Sequence, residues 1–313
     1  MKPFSEMPLL TVSREAMKGE FEIAFPRAEF PQGTDAALDA LDEVERIEQK
    51  LSVFRFDSKI QYVNLTAHES PVPLDDELFN LLALCQKFSA ATEGAVDLTC
   101  SALWKLWGFS RREARLPSKD EIETAKQSVG YRHIELDSEN RTIRLTKPGV
   151  ELNLGCVGKG FALDVAAEKL LQKGVDRFLF HGGLSSVLAK GDGWQIGIKH
   201  PFRPATRLFE LELADRALST SGSQFQFFRH KGRRYSHIID PRTGWSVEGV
   251  LAVTVTAQTA TIAELLSTAL FVLGVEKAKT LAADEKFCQQ FGTFSAVFLL
   301  PTKRPNDFTV ERI

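Results

Sequence analysis

A run from Thr259 to Leu273 carries apolar or small residues on almost every face of a helix. Leu265, Leu266, Ala269, Leu270, Val272 and Leu273 occupy its flanks, which leaves no stripe for solvent. Such a helix must be covered all round, so the chain that holds it needs a layer of sheet and further helices about it. Gly274 closes the run, and Val275 to Ala283 reads as a shorter helix beyond that stop. One acid interrupts the apolar surface. Glu264 has Thr268 four residues on along the same face and Ser267 beside it. A buried carboxylate is costly unless it is paired or bound to a metal. Carboxylate and hydroxyl oxygens suit Mg²⁺, which also takes substrate phosphate oxygens. The same spacing also fits a carboxylate at a solvent edge, with Thr268 bonding back along the helix.

The rest of the pattern supplies the cover. Phe21, Ile23 and Phe25 alternate as a strand does. Ala36 to Phe54 is helical in at least its first half, with Asp35 as N-cap, and Asp75 to Ala91 is a second helix. Arg132–Leu136 and Thr142–Leu145 flank the turn residues Asp137-Ser138-Glu139-Asn140, as in a hairpin. Gly158 to Lys173 is a helix stopped by Gly174. Strand-like runs follow at Phe178–His181, Trp194–Ile198, Leu208–Leu213, Tyr235–Ile239, Leu251–Thr256 and Ala296–Leu300. Hairpins mixed with helices, without βαβ alternation, give an α+β expectation: mixed or antiparallel sheets with packed helices. No Pro/Gly/Ser-rich linker divides residues 1–313. One domain of two intimate lobes is expected, with a break near 110–150.

Composition removes several classes of function. The 313 residues are 43% hydrophobic and 26% charged, with a formal net charge of -2. A nucleic-acid binder would show a basic bias. Cys85, Cys100, Cys156 and Cys288 are widely spread and contain no C-x-x-C, so neither a zinc knuckle nor a disulfide framework is indicated. No apolar run is long enough to span a bilayer. The start, Met1-Lys2-Pro3-Phe4-Ser5-Glu6-Met7, lacks a secretory pattern, which gives a cytoplasmic expectation unless a leader has been removed.

Three further segments carry chemistry. In Leu152-Asn153-Leu154-Gly155-Cys156-Val157-Gly158-Lys159-Gly160, a strand-like start feeds a glycine-rich turn that opens a helix. Glycines let backbone N–H groups approach an anion, the helix N-terminus favours negative charge, and Lys159 adds a point charge. A tight strand-to-helix corner is the plainer reading. In Tyr235-Ser236-His237-Ile238-Ile239-Asp240-Pro241-Arg242-Thr243-Gly244, His237 stands where a strand gives way to a turn, a good mount for a proton-transferring or phosphate-contacting group, although a structural histidine is the commoner outcome at a strand end. Ala95-Val96-Asp97-Leu98-Thr99, followed by Trp104, Trp107 and Phe109, offers one wall of a pocket for a planar ring, or simply core.

Taken in order, these segments resemble the ApbE-like family of FAD:protein FMN transferases. Ala16-Met17 with Phe21–Ala24, Leu51–Arg55 with Asp57-Ser58 and Val63-Asn64, Ala95–Thr99 through Phe109, Lys159–Asp164, Ser236–Gly244 and Glu264–Gly274 carry the resemblance, from about Met17 to about Leu300. It implies metal-dependent transfer of FMN from FAD to a threonine or serine hydroxyl of a flavoprotein acceptor, with AMP released. It implies that Met17, Phe54, Ala95, Val96, Asp97, Asn153 and Lys159 contact FAD. The Cys156 carbonyl, Glu264, Ser267 and Thr268 would hold Mg²⁺, and His237 would stand near the reacting phosphate. Asp240, next to Pro241, would shape the turn that aims His237.

The chain departs from the family pattern in places. Glu264 and Asn153 each replace a usual aspartate, and Cys156 and Gly158 replace other small residues. Phe180 and Leu184 flank a retained glycine pair where polar residues are usual, and Phe54 lacks a polar tip. Two other outcomes therefore stand beside transfer: hydrolysis of FAD to FMN and AMP, and flavin binding without catalysis.

Overall fold

The computed structural model describes residues 7–110, 113–203, 205–224 and 226–313. Met1 to Glu6, on which most of the leader reading rests, and Arg111 and Arg112 at the edge of the expected lobe break lie outside them.

The chain opens with a hairpin of β1 (Leu9–Ala16) and β2 (Gly19–Pro26). Met17 and Lys18 form its turn with φ of 50 and 61, the left-handed geometry that a two-residue hairpin requires. Next come α1 (Gly33–Leu51), α2 (Lys59–Thr66), β3 (Val72–Pro73), α3 (Asp76–Ala91), α4 (Ser101–Leu106), α5 (Lys119–Lys126), β4 (Ile134–Asp137) and β5 (Thr142–Leu145). The second half begins with α6 (Gly158–Gln172). It continues through β6 (Phe178–Gly182), β7 (Ser186–Lys190), β8 (Trp194–Lys199), β9 (Arg207–Leu213), β10 (Ala217–Gly222), β11 (Phe227–His230), β12 (Arg233–Ser236) and β13 (Ala252–Ala257). It ends with α7 (Ala260–Ala283), α8 (Glu285–Phe291), β14 (Ser295–Pro301) and β15 (Phe308–Arg312).

The main sheet has eight strands in the order β1-β2-β6-β7-β10-β13-β14-β15. Each neighbouring pair in it is antiparallel, so the α+β expectation of mixed or antiparallel sheets narrows to antiparallel pairing. α1, α6 and α7 lie side by side along this sheet, with α7 against β7, β10 and β13. The β8–β9 ribbon encloses a smaller cluster with Val187 and Leu218 from the main sheet. The wrapped helix is α7: Leu265, Leu266, Ala269 and Leu270 are fully buried. Gly274 breaks it with φ 78 and ψ -179, a conformation glycine adopts without steric cost.

Some boundaries differ from the sequence reading, each for a physical reason. α1 starts at Gly33, and its N-cap is Gln32 without a side-chain bond. Gly33 lies so close to the Phe25 ring that a Cβ would sit 2.3 Å from it, and this fit lets the helix begin before Asp35, which falls in the first turn. The strand expected over Tyr235–Ile239 stops at Ser236, because its partner β11 begins only at Phe227; Ile239 instead pairs with Ser246 across the following turn. Leu152–Leu154 is extended but belongs to no strand. The Asn64 side chain takes the place of a ladder there: its Oδ1 accepts from the Leu152 N–H at 2.7 Å and its Nδ2 donates to the Leu152 carbonyl at 3.0 Å.

The tightest inter-helix fit is at Gly160 of α6. A Cβ there would lie 2.3 Å from the Ala260 carbonyl oxygen at the start of α7. Gly160→Ala should force the helices apart and cost about 1–3 kcal/mol, read as a lowered midpoint in urea unfolding with little change in slope.

Candidate active site

Asp164 fastens α6 to the start of α7. Its carboxylate accepts from the Ala260 and Thr261 backbone N–H groups, both at 2.8 Å, and from the Thr261 hydroxyl at 2.5 Å. It thereby satisfies donors that a helix N-terminus leaves unpaired. This clamp places Lys159, one turn earlier on α6, beside Glu264, one turn into α7. Lys159 Nζ lies 3.4 Å from Glu264 Oε1. Ser186 at the start of β7 donates its hydroxyl to the same oxygen at 2.5 Å.

Glu264 is only 4% exposed, which excludes the solvent-edge reading. Its second oxygen, Oε2, is buried and has no hydrogen-bond partner among the described residues. Around it stands a floor of hydroxyls. Ser267 Oγ lies 3.1 Å from Ser219 Oγ and 3.0 Å from Ser221 Oγ, and Ser221 Oγ lies 3.4 Å from Thr268 Oγ1. The backward bond along the helix comes from Ser267, which donates to the Glu264 carbonyl at 3.1 Å. Among the described residues, no three His, Cys, Asp or Glu side chains are grouped to hold a metal. The donors gathered here are one carboxylate oxygen and several hydroxyls. That set fits a hard divalent cation that completes its shell with phosphate oxygens and water.

The glycine-rich turn leads into α6, which starts without a side-chain cap. Asn153 Oδ1 accepts from the Gly155 N–H at 2.9 Å and so shapes the turn from within. Burial pushes the Cys156 thiol up to about 12; a hard cation takes oxygen rather than sulfur, so the carbonyl is the group of Cys156 suited to it. Asp97 is buried and both its oxygens are engaged. Oδ1 accepts from the Thr99 N–H at 2.8 Å and the Thr99 hydroxyl at 2.6 Å, and Oδ2 accepts from the Tyr131 N–H at 2.6 Å. Burial nevertheless raises its pKa.

His237 enters from the other side. Its Nδ1 lies 3.1 Å from the Gln226 carbonyl. A carbonyl only accepts, so Nδ1 carries the proton and Nε2 keeps a lone pair. Burial lowers the His237 pKa against the pull of that bond, and nearby Lys159 lowers it further. Among the described residues, no hydrogen bond or ion pair joins Asp240 to His237. The Arg242 backbone N–H and Nε donate to its Oδ1, and Nη2 to its Oδ2, all at 2.9 Å. Trp107 is core, with its Nε1 donating to the Gly244 carbonyl at 2.9 Å. It braces the turn that carries His237.

One cavity of about 920 Å³ joins these groups, at the upper end of ligand-pocket sizes. Met17, Phe54, Ala95, Val96, Asp97, Asn153, Cys156, Lys159, His237, Glu264, Ser267 and Thr268 all line it. The sequence reading missed the polar strand β10, which lends Ser219, Thr220 and Ser221, and it missed Ser186 behind Glu264. The hydroxyl run Ser219-Thr220-Ser221 between Leu218 and Gly222 was the available signal, but it lacks the apolar alternation that marks strands. Of the aromatic segment, Trp104 and Phe109 reach the cavity wall. Of the two departures beside the glycine pair, Leu184 lines the cavity and is 78% exposed, whereas Phe180 is buried edge-on to Phe21.

An antiparallel sheet backed by three helices, with an oxygen-lined floor and a glycine-rich turn at one cavity, defines an α+β protein with a built polar site. The ApbE family profile matches residues 17–290, and the chain belongs to this family. It is 31% identical over 285 residues to the FAD:protein FMN transferase of Escherichia coli (strain K12), covering 86% of this chain and 81% of that one. It is 33% identical over 258 residues to the FAD:protein FMN transferase of Haemophilus influenzae, covering 77% and 74%. The crystal structure of the ApbE protein from Thermotoga maritima superposes with a TM-score of 0.86 at 28% identity over 97% of both chains. The apo flavinyl transferase ApbE of Pseudomonas stutzeri gives 0.82 at 27% identity, over 97% and 94%.

The imidazole of His237 should titrate below the ordinary histidine value of about 6.5, because burial disfavours its charged form. NMR titration of the ring is expected to show the Nδ1-protonated neutral tautomer at pH 7, with the cation appearing only at lower pH.

Proposed function

We propose that this chain transfers FMN from FAD to a threonine or serine hydroxyl of a flavoprotein, releasing AMP. The observation that carries this reading is the convergence on one cavity of the Lys159–Glu264 pair, a hydroxyl floor and a neutral histidine with a free lone pair. Membership of a family whose relatives are FAD:protein FMN transferases supports it. The chain is taken to work as one domain, since the cavity wall draws on residues from Met17 to Thr268. A cytoplasmic location is proposed on the four unpaired cysteines, which a reducing compartment maintains.

The reaction forms a bond from the acceptor oxygen to the FMN phosphorus and breaks the bond from that phosphorus to the oxygen of AMP. His237 Nε2 takes the proton of the attacking hydroxyl, and the Gln226 carbonyl holds the ring in the tautomer that allows it. Lys159 and the start of α6 face the pyrophosphate. Asn153 fixes the turn that presents those N–H groups. The proposed Mg²⁺, held by Glu264 with Ser267, Thr268 and the Cys156 carbonyl, supplies charge neutralisation at the pyrophosphate when bound.

Incubation with FAD, Mg²⁺ and an acceptor flavoprotein should add the mass of FMN at a threonine or serine and release AMP in equal amount. Free FMN and AMP without acceptor would instead indicate hydrolysis. Intact FAD with an unmodified acceptor would leave only flavin binding. His237→Ala should lower the transfer rate by about 10²-fold or more while FAD affinity changes less than about threefold; equal loss of both overturns the role of His237. Because burial favours the neutral ring, the wild-type rate should stay level as pH falls from about 7.5 to about 6.5 and drop only below that. The variant should lack this acid limb.

A further inference from the structure

We infer that Ser186 is a positioning residue that pins one oxygen of Glu264, so that the other is presented to the divalent cation; this rests on the metal reading above. Ser186 is fully buried at the first position of β7, where it pairs with Ser219 of β10 and Gly182 of β6. It approaches Glu264 from the sheet side and is not part of the cavity wall. Its hydroxyl donates to Glu264 Oε1 at 2.5 Å, the short distance of a charge-assisted O–H···O⁻ bond. The other contact to that oxygen is the longer one from Lys159, at 3.4 Å. The result is an asymmetric carboxylate: Oε1 is held twice, and Oε2 is buried without a hydrogen-bond partner among the described residues.

Glutamate has one more rotatable bond than aspartate, and a flexible arm presents an oxygen to a cation only if something fixes it. The hydroxyl of Ser186 meets that need at the depth that the longer arm reaches. An aspartate on the same helix position would be drawn back from Ser186 by one methylene, so the serine belongs with the glutamate. Groups that orient a metal-binding side chain commonly contribute 10–100-fold to metal affinity, and that is the size of effect expected here.

Mn²⁺ affinity of the full chain, measured by electron paramagnetic resonance in the presence of FAD, tests this without reference to turnover. Ser186→Thr keeps a hydroxyl, and Ser186→Val has nearly the same shape without one. The threonine variant should bind Mn²⁺ within about threefold of wild type, and the valine variant roughly 10-fold or more weaker, with matching unfolding midpoints in the absence of metal. Equal affinities of the two variants overturn the role of Ser186. Should the branched side chains prevent folding, Ser186→Ala compared in the Glu264 and Glu264→Asp backgrounds decides it. The loss should appear with glutamate and vanish with aspartate, and an equal loss in both overturns the inference. Failure of the unmodified protein to bind Mn²⁺ would overturn the metal reading, and the pinning role with it. Wild-type binding that the Ser186 variants leave unchanged would overturn the pinning role alone.

Discussion

Asp164 accepts the first two N–H groups of α7 and the hydroxyl of Thr261, and the geometry of the whole cavity floor follows from that clamp. The described residues between Asp164 and Ala260 contain eight strands, yet the clamp returns α7 to within one turn of Lys159. The contact is possible because Gly160 has no side chain to hold the helices apart. A capping interaction of this kind is worth about 0.5–2 kcal/mol, a modest sum for a domain. Its larger consequence is positional. It sets the depth at which a lysine on one helix meets a carboxylate on the next, and both then face the same space.

That carboxylate sits where local rules of stability are broken. Removing a charge from water costs several kcal/mol unless good partners replace the solvent. Among the described residues, Glu264 has partners on one oxygen only. A core built for stability alone would carry leucine at such a position on an otherwise apolar helix. The Lys159 ammonium and the Ser186 hydroxyl offset part of the cost, and the remaining unsatisfied oxygen is what the proposed metal role of Glu264 calls for. The hydroxyl floor has the opposite character. Ser219, Ser221, Ser267 and Thr268 satisfy one another, so it is stable as it stands, and each hydroxyl can turn to donate to or accept from an incoming ligand.

Long elements with strong periodicity were legible in the sequence. α3, α6, the buried first part of α7 and the strands β2, β6, β8, β9, β13 and β14 fall within a residue or two of their expected bounds. What escaped reading was set by tertiary contact. β10 carries hydroxyls on the face that meets α7, so burial there selects small polar residues and erases the alternation that betrays a strand. Leu152–Leu154 looks like a strand by its leucines, but Leu152 bonds to the Asn64 side chain and the Asn153 N–H to the Leu98 carbonyl rather than to a ladder. α1 starts early because of a ring packed over Gly33, which no local pattern encodes. The site was legible in another way. The residues expected to contact FAD or Mg²⁺, together with His237, come from remote segments and line one cavity, whereas Ser186, whose partner lies far away in sequence, left no local trace.

Polarity is graded across the cavity, and the gradient bears on how a dinucleotide would sit in it. The floor is hydroxyl and charge. The rim carries Phe54, 58% exposed, with Lys18 Nζ 3.2 Å from its ring centre, together with Leu184 and Phe227. Trp104, Phe109 and Ile238 extend the apolar lining inward. A ligand with a charged pyrophosphate and planar aromatic ends lowers its free energy most by placing phosphates on the floor and rings against the apolar wall. Phe54 and Leu184 carry no polar group, which strengthens that contrast, because neither competes with the floor for the phosphates. Both also leave exposed apolar surface at the mouth, where the proposed acceptor would enter. His237 stands between the two regions, edge-on to Phe109 at 6.4 Å. Its position fits a group that acts where the charged part of the ligand ends and the incoming chain begins.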